Sequence, residues 1–219
     1  DPSERLRVLQ RGIDRHPARA DLLAESAVAA ATLGDHQAAI AAADRAIASD
    51  SGASRAWVQW LTSIRVTGTD AEFARAADRF GRAASDRPGL AIDVADQLAA
   101  LVRSSSDPVL VHSLTWLDAA IVADEMALAR DMARVRLLAA GERWSEAIAA
   151  IDSVVVALPP PETGSTRAPS TGGGVAEALR LRADVLGWAG RHDEALAAYA
   201  DYLVVAPDDV EARRQQARV

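Results

Sequence analysis

The stretch TLGDHQAAIAAADRAIASDS, residues 32–51, places apolar or small side chains at Ala39, Ile40, Ala43, Ala46 and Ile47. That spacing follows the 3.6-residue period of an α-helix and gathers all five on one face. The same face returns in AGRHDEALAAYADYLVVAPDD, residues 189–209, as Ala195, Leu196, Tyr199, Tyr202 and Leu203 ahead of Pro207. ERWSEAIAAIDSVVVALPP, residues 142–160, repeats it as Ala147, Ile148, Ile151, Val154 and Val155 before Pro159. Residues 71–88 carry Ala76, Ala77, Phe80, Ala83 and Ala84 before Pro88. Fainter copies lie at Arg5, Leu6, Leu9, Gly12 and Ile13 before Pro17, and at Leu110, Val111, Leu114 and Leu117.

The stripes begin at residues 5, 39, 76, 110, 147 and 195, with separations of 34, 37, 34, 37 and 48. A unit of 34 is two helices of about four turns each with two tight turns. The separation of 48 demands an insertion, and PPPETGSTRAPSTGGG, residues 159–174, supplies it. Its Pro, Gly, Ser and Thr content predicts a flexible loop over 160–175. Each stripe also has a preceding amphipathic partner. Residues 20–33 carry Leu23, Ala27 and Ala30; 54–67 carry Trp57, Leu61 and Ile64; 90–103 carry Val94, Leu98 and Leu101; 176–189 carry Leu179, Ala183 and Leu186. The partner at 124–140 is less regular, with Asp131 where an apolar residue is expected and Val135 and Leu138 in register.

These residues resemble the tetratricopeptide repeat. That family has a small residue before the intra-repeat turn, matched by Gly34 and Gly190, and alanine where the second helix begins to pack, matched by Ala39, Ala76, Ala147 and Ala195. A large residue one turn later is matched by Phe80, Ile151 and Tyr199, and a closing proline by Pro17, Pro88, Pro159 and Pro207. Departures are Ala43 where a ring is usual, Leu110 for alanine and Ser51 for proline. The resemblance implies an all-α, right-handed superhelical solenoid of antiparallel helix pairs. It would run as one array over 1–219, with a partial repeat at 1–17 and full repeats at 20–51, 54–88, 90–122, 124–159 and 176–207. The loop would fill 160–175 and a further repeat would start at 208–219. A solenoid gains stability by stacking neighbours, since one helix pair cannot bury its own stripe. The two ends therefore point to an excerpt of a longer array or to end-to-end association.

Composition narrows the function. The net charge is −7, and arginines are interleaved with acids along every helix, so no basic stripe is offered to nucleic acid. No run of 18 or more apolar residues is present, which argues against membrane insertion. The opening DPSERLRV has no signal pattern, and the compartment is left open between cytoplasm and periplasm. All 24 basic residues are arginine, which with the alanine bias points to a GC-rich bacterial genome. The lack of lysine removes the Walker A loop, Schiff-base catalysis and Ser-Lys nucleophiles. With zero cysteines, thiol nucleophiles and thiolate zinc sites go too. No catalytic residue, metal ligand or cofactor is expected.

Four histidines and five tryptophans remain. His36 and His192 hold matching turn positions, where a ring packed on the next helix is expected. His16 and His112 lack metal-ligand spacing. Trp57 matches the family's core tryptophan with Trp60 as its neighbour, and Trp144 reads as structural. The pairs Asp193-Glu194 and Asp208-Asp209 read as solvated helix starts. In the family the first helices line a concave groove that binds peptides. Carried onto this chain, the groove would present Glu25 and Val28, then Gln59, Thr62 and Arg65, then Asp96 and Arg103. Met132 and Arg136, then Arg180, Asp184 and Trp188, would follow. The resemblance thus implies a non-catalytic scaffold for a protein or peptide partner. The segment 185–219, VLGWAGRHDEALAAYADYLVVAPDDVEARRQQARV, also resembles repeats of periplasmic arrays in exopolysaccharide export, which is one alternative. A regulatory domain and a homo-oligomer through exposed terminal repeats are the others.

Overall fold

The computed structural model describes residues 1–158 and 172–219, and every regular element among them is a helix. Most of the expected inserted loop, residues 159–171, lies outside the described residues. Where the sequence reading runs one array over 1–219, contacts divide the chain into two compact units.

The first unit spans Asp1–Val102 and Ser106–Ile121. It holds α1 (Pro2–Arg15), α2 (Ala20–Thr32), α3 (His36–Ser49), α4 (Ser54–Thr67), α5 (Asp70–Ala84), α6 (Pro88–Leu98), a 3-10 turn at Ala99–Leu101 and α7 (Pro108–Ala119). Consecutive helices pair as hairpins, and hairpins stack first helix on first helix, α2 on α4 and α4 on α6. The second helices α5 and α7 also meet. Sequence-encoded caps start several of these helices. The Asp35 carboxylate accepts from the Ala38 N–H at 2.9 Å, and Thr69 and Glu72 form a reciprocal capping box on α5.

The core of this unit is a chain of rings meeting edge to face. Trp57 lies 5.6 Å from Trp60 and 5.3 Å from Phe80, and Phe80 lies 4.5 Å from Trp116. Such pairs add to the area they bury. The Trp57 indole donates to the Ser51 carbonyl at 2.9 Å, so its one polar group is satisfied on burial. The stripe on α7 is rotated from its expected face. Leu110 and Leu117 are buried as read, but Val111 is 51% exposed, and Val109, Ser113 and Trp116 point inward instead. Apolar residues ring much of α7, so periodicity alone does not choose the buried side. The partner helix expected over 90–103 ends earlier, at Leu98, and passes into the 3-10 turn.

The second unit spans Arg103–Ser105 and Val122–Val219. It holds α8 (Asp124–Ala140), α9 (Trp144–Ala157), α10 (Gly172–Trp188), α11 (His192–Val205) and the short α12 (Val210–Gln216). Here α8 pairs with α9 and α10 with α11, while α12 packs on α11. Residues 172–175, read as the end of a loop, are instead the first turn of α10. A Cβ on Gly174 would come within 2.6 Å of the Leu128 side chain on α8, so this glycine belongs to a close helix contact and not to a linker.

The intra-repeat turns share one geometry. Gly34 and Gly190 have φ of +82° and +74°, the left-handed region that glycine enters without cost. In both, the next N–H reaches back five residues, Asp35 to Ala30 at 3.0 Å and Arg191 to Leu186 at 2.9 Å. The α8–α9 turn does the same from Arg143 to Leu138 at 2.9 Å, but Glu142 takes the left-handed position at φ 58°. His36 is half-buried with its Nδ1 lacking a protein partner, whereas His192 is exposed and does not pack as a turn ring.

Candidate peptide-binding face

The first helices carry the residues expected to line a groove, and in unit 1 most are already engaged. The Glu25 carboxylate on α2 pairs with Arg5 of α1 and Arg55 of α4, tying three helices together. Gln59 donates to the buried Ser63 hydroxyl at 3.0 Å, and Thr62 and Val28 are half-buried. Arg65 reaches from α4 to Asp107 at the start of α7, 3.3 Å away, and to Asp70 at 3.5 Å. Its side chain is only 15% exposed, so it is part of the unit's interior more than a handle for a ligand. Asp96 is half-buried on α6, while Arg103 lies outside the helices, in the second unit, and is exposed.

In unit 2 the structure draws Arg180 and Asp184 into a network with three residues the sequence reading had placed elsewhere. Tyr199 and Tyr202, assigned to the apolar stripe of α11, turn their hydroxyls onto carboxylates. Tyr199 donates to Asp184 at 2.6 Å and Tyr202 donates to Asp209 at 2.7 Å. The Arg180 guanidinium bonds Asp209 at 2.8 Å and lies 3.9 Å from Asp184. Asp209 also caps α12, accepting from the Ala212 N–H at 2.9 Å. The network fastens α10, α11 and α12 to one another. Two signals for it were present in the sequence, the i,i+4 pair Arg180–Asp184 and the need of a buried tyrosine hydroxyl for a partner. Arg136 of α8 is paired with Glu177 of α10. Met132 is 3% exposed and sits in the core, because its side of α8 turns toward the neighbouring helices. Trp188, at the end of α10, is 60% exposed.

Electrostatics in the network run in opposite directions. Burial pushes the Asp184 carboxyl above its ordinary value, against the opposing pull of the Tyr199 hydroxyl and Arg180. The Ala212 N–H and the Tyr202 hydroxyl hold Asp209 below its ordinary value. Burial and the Asp184 carboxylate together raise Tyr199 far above the usual phenol range. A lowered Asp209 stabilises the fold above its unfolded pKa, and that contribution is lost as pH falls through the folded value. The raised Asp184 has the opposite sign: its contribution is full below the unfolded pKa and lost as pH rises through the folded one. Acidification from neutrality is therefore expected to leave α12 docked until pH falls below the ordinary carboxylate range, because Asp209 keeps its charge there. Protection of the Ala212 amide and its neighbours, taken relative to the intrinsic exchange rate at each pH, should then fall in the parent and change little in Asp209→Asn. An equal acid loss in both proteins would show that the cap is not the titrating element.

Stacked antiparallel hairpins with polar first-helix faces define a helical-repeat protein. More narrowly, the chain has the tetratricopeptide repeat fold. The structure is similar to a tetratricopeptide repeat protein from Parabacteroides merdae, with a TM-score of 0.50 at 11% identity, over 92% of this chain and 76% of that one. It is also similar to YrrB, described as a tetratricopeptide repeat protein with an unusual peptide-binding site, at a TM-score of 0.47 and 17% identity over 95% and 97% of the two chains. A thermophilic tetratricopeptide repeat protein from Thermus thermophilus matches at 0.49 and 19% over 91% and 97%. No protein-family model and no curated protein matches the sequence. No described helix is long and apolar enough to cross a membrane.

Proposed function

We propose that the chain is a non-catalytic interaction scaffold that holds a peptide or protein partner on the first-helix face of its second unit. The observation that carries this reading is Trp188. Tryptophan is enriched among the residues that anchor binding partners, and this one is 60% exposed. It stands on the same face of α10 as Arg180 and Asp184, whose network holds that face rigid and so lowers the ordering cost of binding. The lack of lysine and cysteine in the sequence supports a binding role over a catalytic one.

Arg180→Glu would set three carboxylates together and unfasten α12, so lost binding in that variant would not report on contact. Trp188→Ala removes an exposed ring and leaves the network intact. Peptides selected against the protein from a random library should bind with Kd of about micromolar, near −8 kcal/mol. Titration calorimetry is expected to show Trp188→Ala weakening them by about tenfold or more with unchanged helicity. Equal affinity in the two proteins would move the site off this face.

A further inference from the structure

The outer face of α1 carries Arg7, Arg11 and Arg15, each four residues from the next. At 3.6 residues per turn they form one row, on the side opposite the half-buried Leu6 and Leu9 and the buried Ile13. All three are exposed, and none has an ion pair or hydrogen bond among the described residues. That sets them apart from Arg5, Arg55, Arg79 and Arg180, each held by a carboxylate of this chain. Val8 stands beside the row, 55% exposed. Of the two carboxylates on α1, Asp14 accepts from the Gln10 amide at 2.9 Å and Glu4 sits in the first turn. The helix therefore keeps a positive excess within a chain of net charge −7.

A matching face exists on α11. Opposite the buried Ala195, Ala198, Tyr199 and Tyr202 lie Asp193, Ala197, Ala200 and Val204, with Asp201 beside them. Asp193 and Asp201 are exposed and have no partner among the described residues. The helix dipole accounts for Asp193 in the first turn, but not for Asp201 two turns further on. Asp193 and Asp201 are eight residues apart, as are Arg7 and Arg15, so each pair spans about 12 Å along its helix. Between the carboxylates, Ala197 and Ala200 present no long side chain, which lets another helix approach to about 8 Å. Val204, 68% exposed, adds an apolar contact.

We propose that α1 of one copy docks on α11 of a second copy of this chain. Arg7 and Arg15 face the carboxylates of Asp193 and Asp201, and the Arg11 stem lies over the alanines between them. The two faces match in sign, in spacing and in long against short side chains. An anionic lipid surface would satisfy the arginines but leave the α11 face unused. The contact joins two different surfaces, so association continues past one contact or closes on itself. Its charges are exposed and its apolar part is small, so it is weak, with Kd of about 100 μM at low salt. It does not involve Trp188 and stands or falls separately from the peptide-binding face.

The test is sedimentation equilibrium of the full chain, from about 10 μM to about 1 mM protein, in about 50 mM and about 500 mM salt. At the lower salt the average mass is expected to rise above the monomer value with concentration. At the higher it should fall back, because the screening length there is about 4 Å. Arg7→Glu with Arg15→Glu, and separately Asp193→Arg with Asp201→Arg, should each stay monomeric with unchanged helicity, since all four side chains are exposed. An equimolar mixture of the two reversed proteins restores opposite charges across the contact and should associate as the parent does. A parent that stays monomeric at low salt overturns the proposal, as does association that survives either reversal, or a mixture that stays monomeric. A monomeric parent that binds phosphatidylglycerol vesicles through Arg7 and Arg15 would give the row to a lipid surface instead.

Discussion

Asp107→Ala is expected to lower the stability of the first unit by about 3–5 kcal/mol, mostly by stranding a charge. Asp107 is 3% exposed and serves two purposes at once. One carboxylate oxygen accepts from the Val109 N–H at 2.9 Å and caps α7, a contribution worth about 1 kcal/mol. The other meets the Arg65 guanidinium, which reaches it from α4 across 42 residues of sequence. Arg65 is itself 15% exposed, and its Nε is buried without a hydrogen-bond partner among the described residues, so its charge depends on the carboxylates at its other end. Asp70, the further carboxylate beside it, is 71% exposed and attracts it only through solvent-screened charge. Urea denaturation followed by tryptophan fluorescence measures the loss. Arg65→Met tests the cause: if the stranded cation dominates, Arg65→Met with Asp107→Ala should recover more than half of the stability that Asp107→Ala loses. A double mutant as unstable as the single one would mean that the cap, and not the ion pair, accounts for the effect.

Phe80→Ala is expected to cost about 3–5 kcal/mol, as large-to-small changes of buried aromatics do. Phe80 has no exposed surface and touches both Trp57 of α4 and Trp116 of α7. Its removal opens a cavity at the junction of three helices and breaks two edge-to-face contacts. Phe80→Leu keeps most of the volume and should cost well under half as much. Denaturation midpoints of the two variants decide the matter. Equal, small losses in both would show that the rings collapse together over the gap, and that the packing around Phe80 is looser than its geometry indicates.

The hairpins were legible because each depends on a period within a single helix. Ala39, Ala43 and Ala46 on α3, or Ala195, Tyr199 and Tyr202 on α11, face inward as their spacing predicts. The turns were legible at Gly34 and Gly190, where a left-handed residue is required, and not at Glu142, which carries no glycine signal. Composition excluded lysine and cysteine chemistry outright. The candidate face was legible as a set of positions but not as a set of roles. Arg65, Arg136 and Arg180 looked like handles for a partner, yet each is bonded to a carboxylate of this chain, and Glu25 is bonded to two of its arginines. Met132 looked accessible and is in the core.

The division has a physical reason. Helix period, caps and glycine turns act over a few residues, so residue order alone determines which segments are helices, where they turn and which of their faces are apolar. Ion pairs such as Arg65–Asp107 and Arg180–Asp209 join residues 42 and 29 apart, and no local spacing encodes them. Only the tertiary structure decided which charges are neutralised within the chain, which side of the evenly apolar α7 is buried, and that Trp188 stands exposed while Met132 does not.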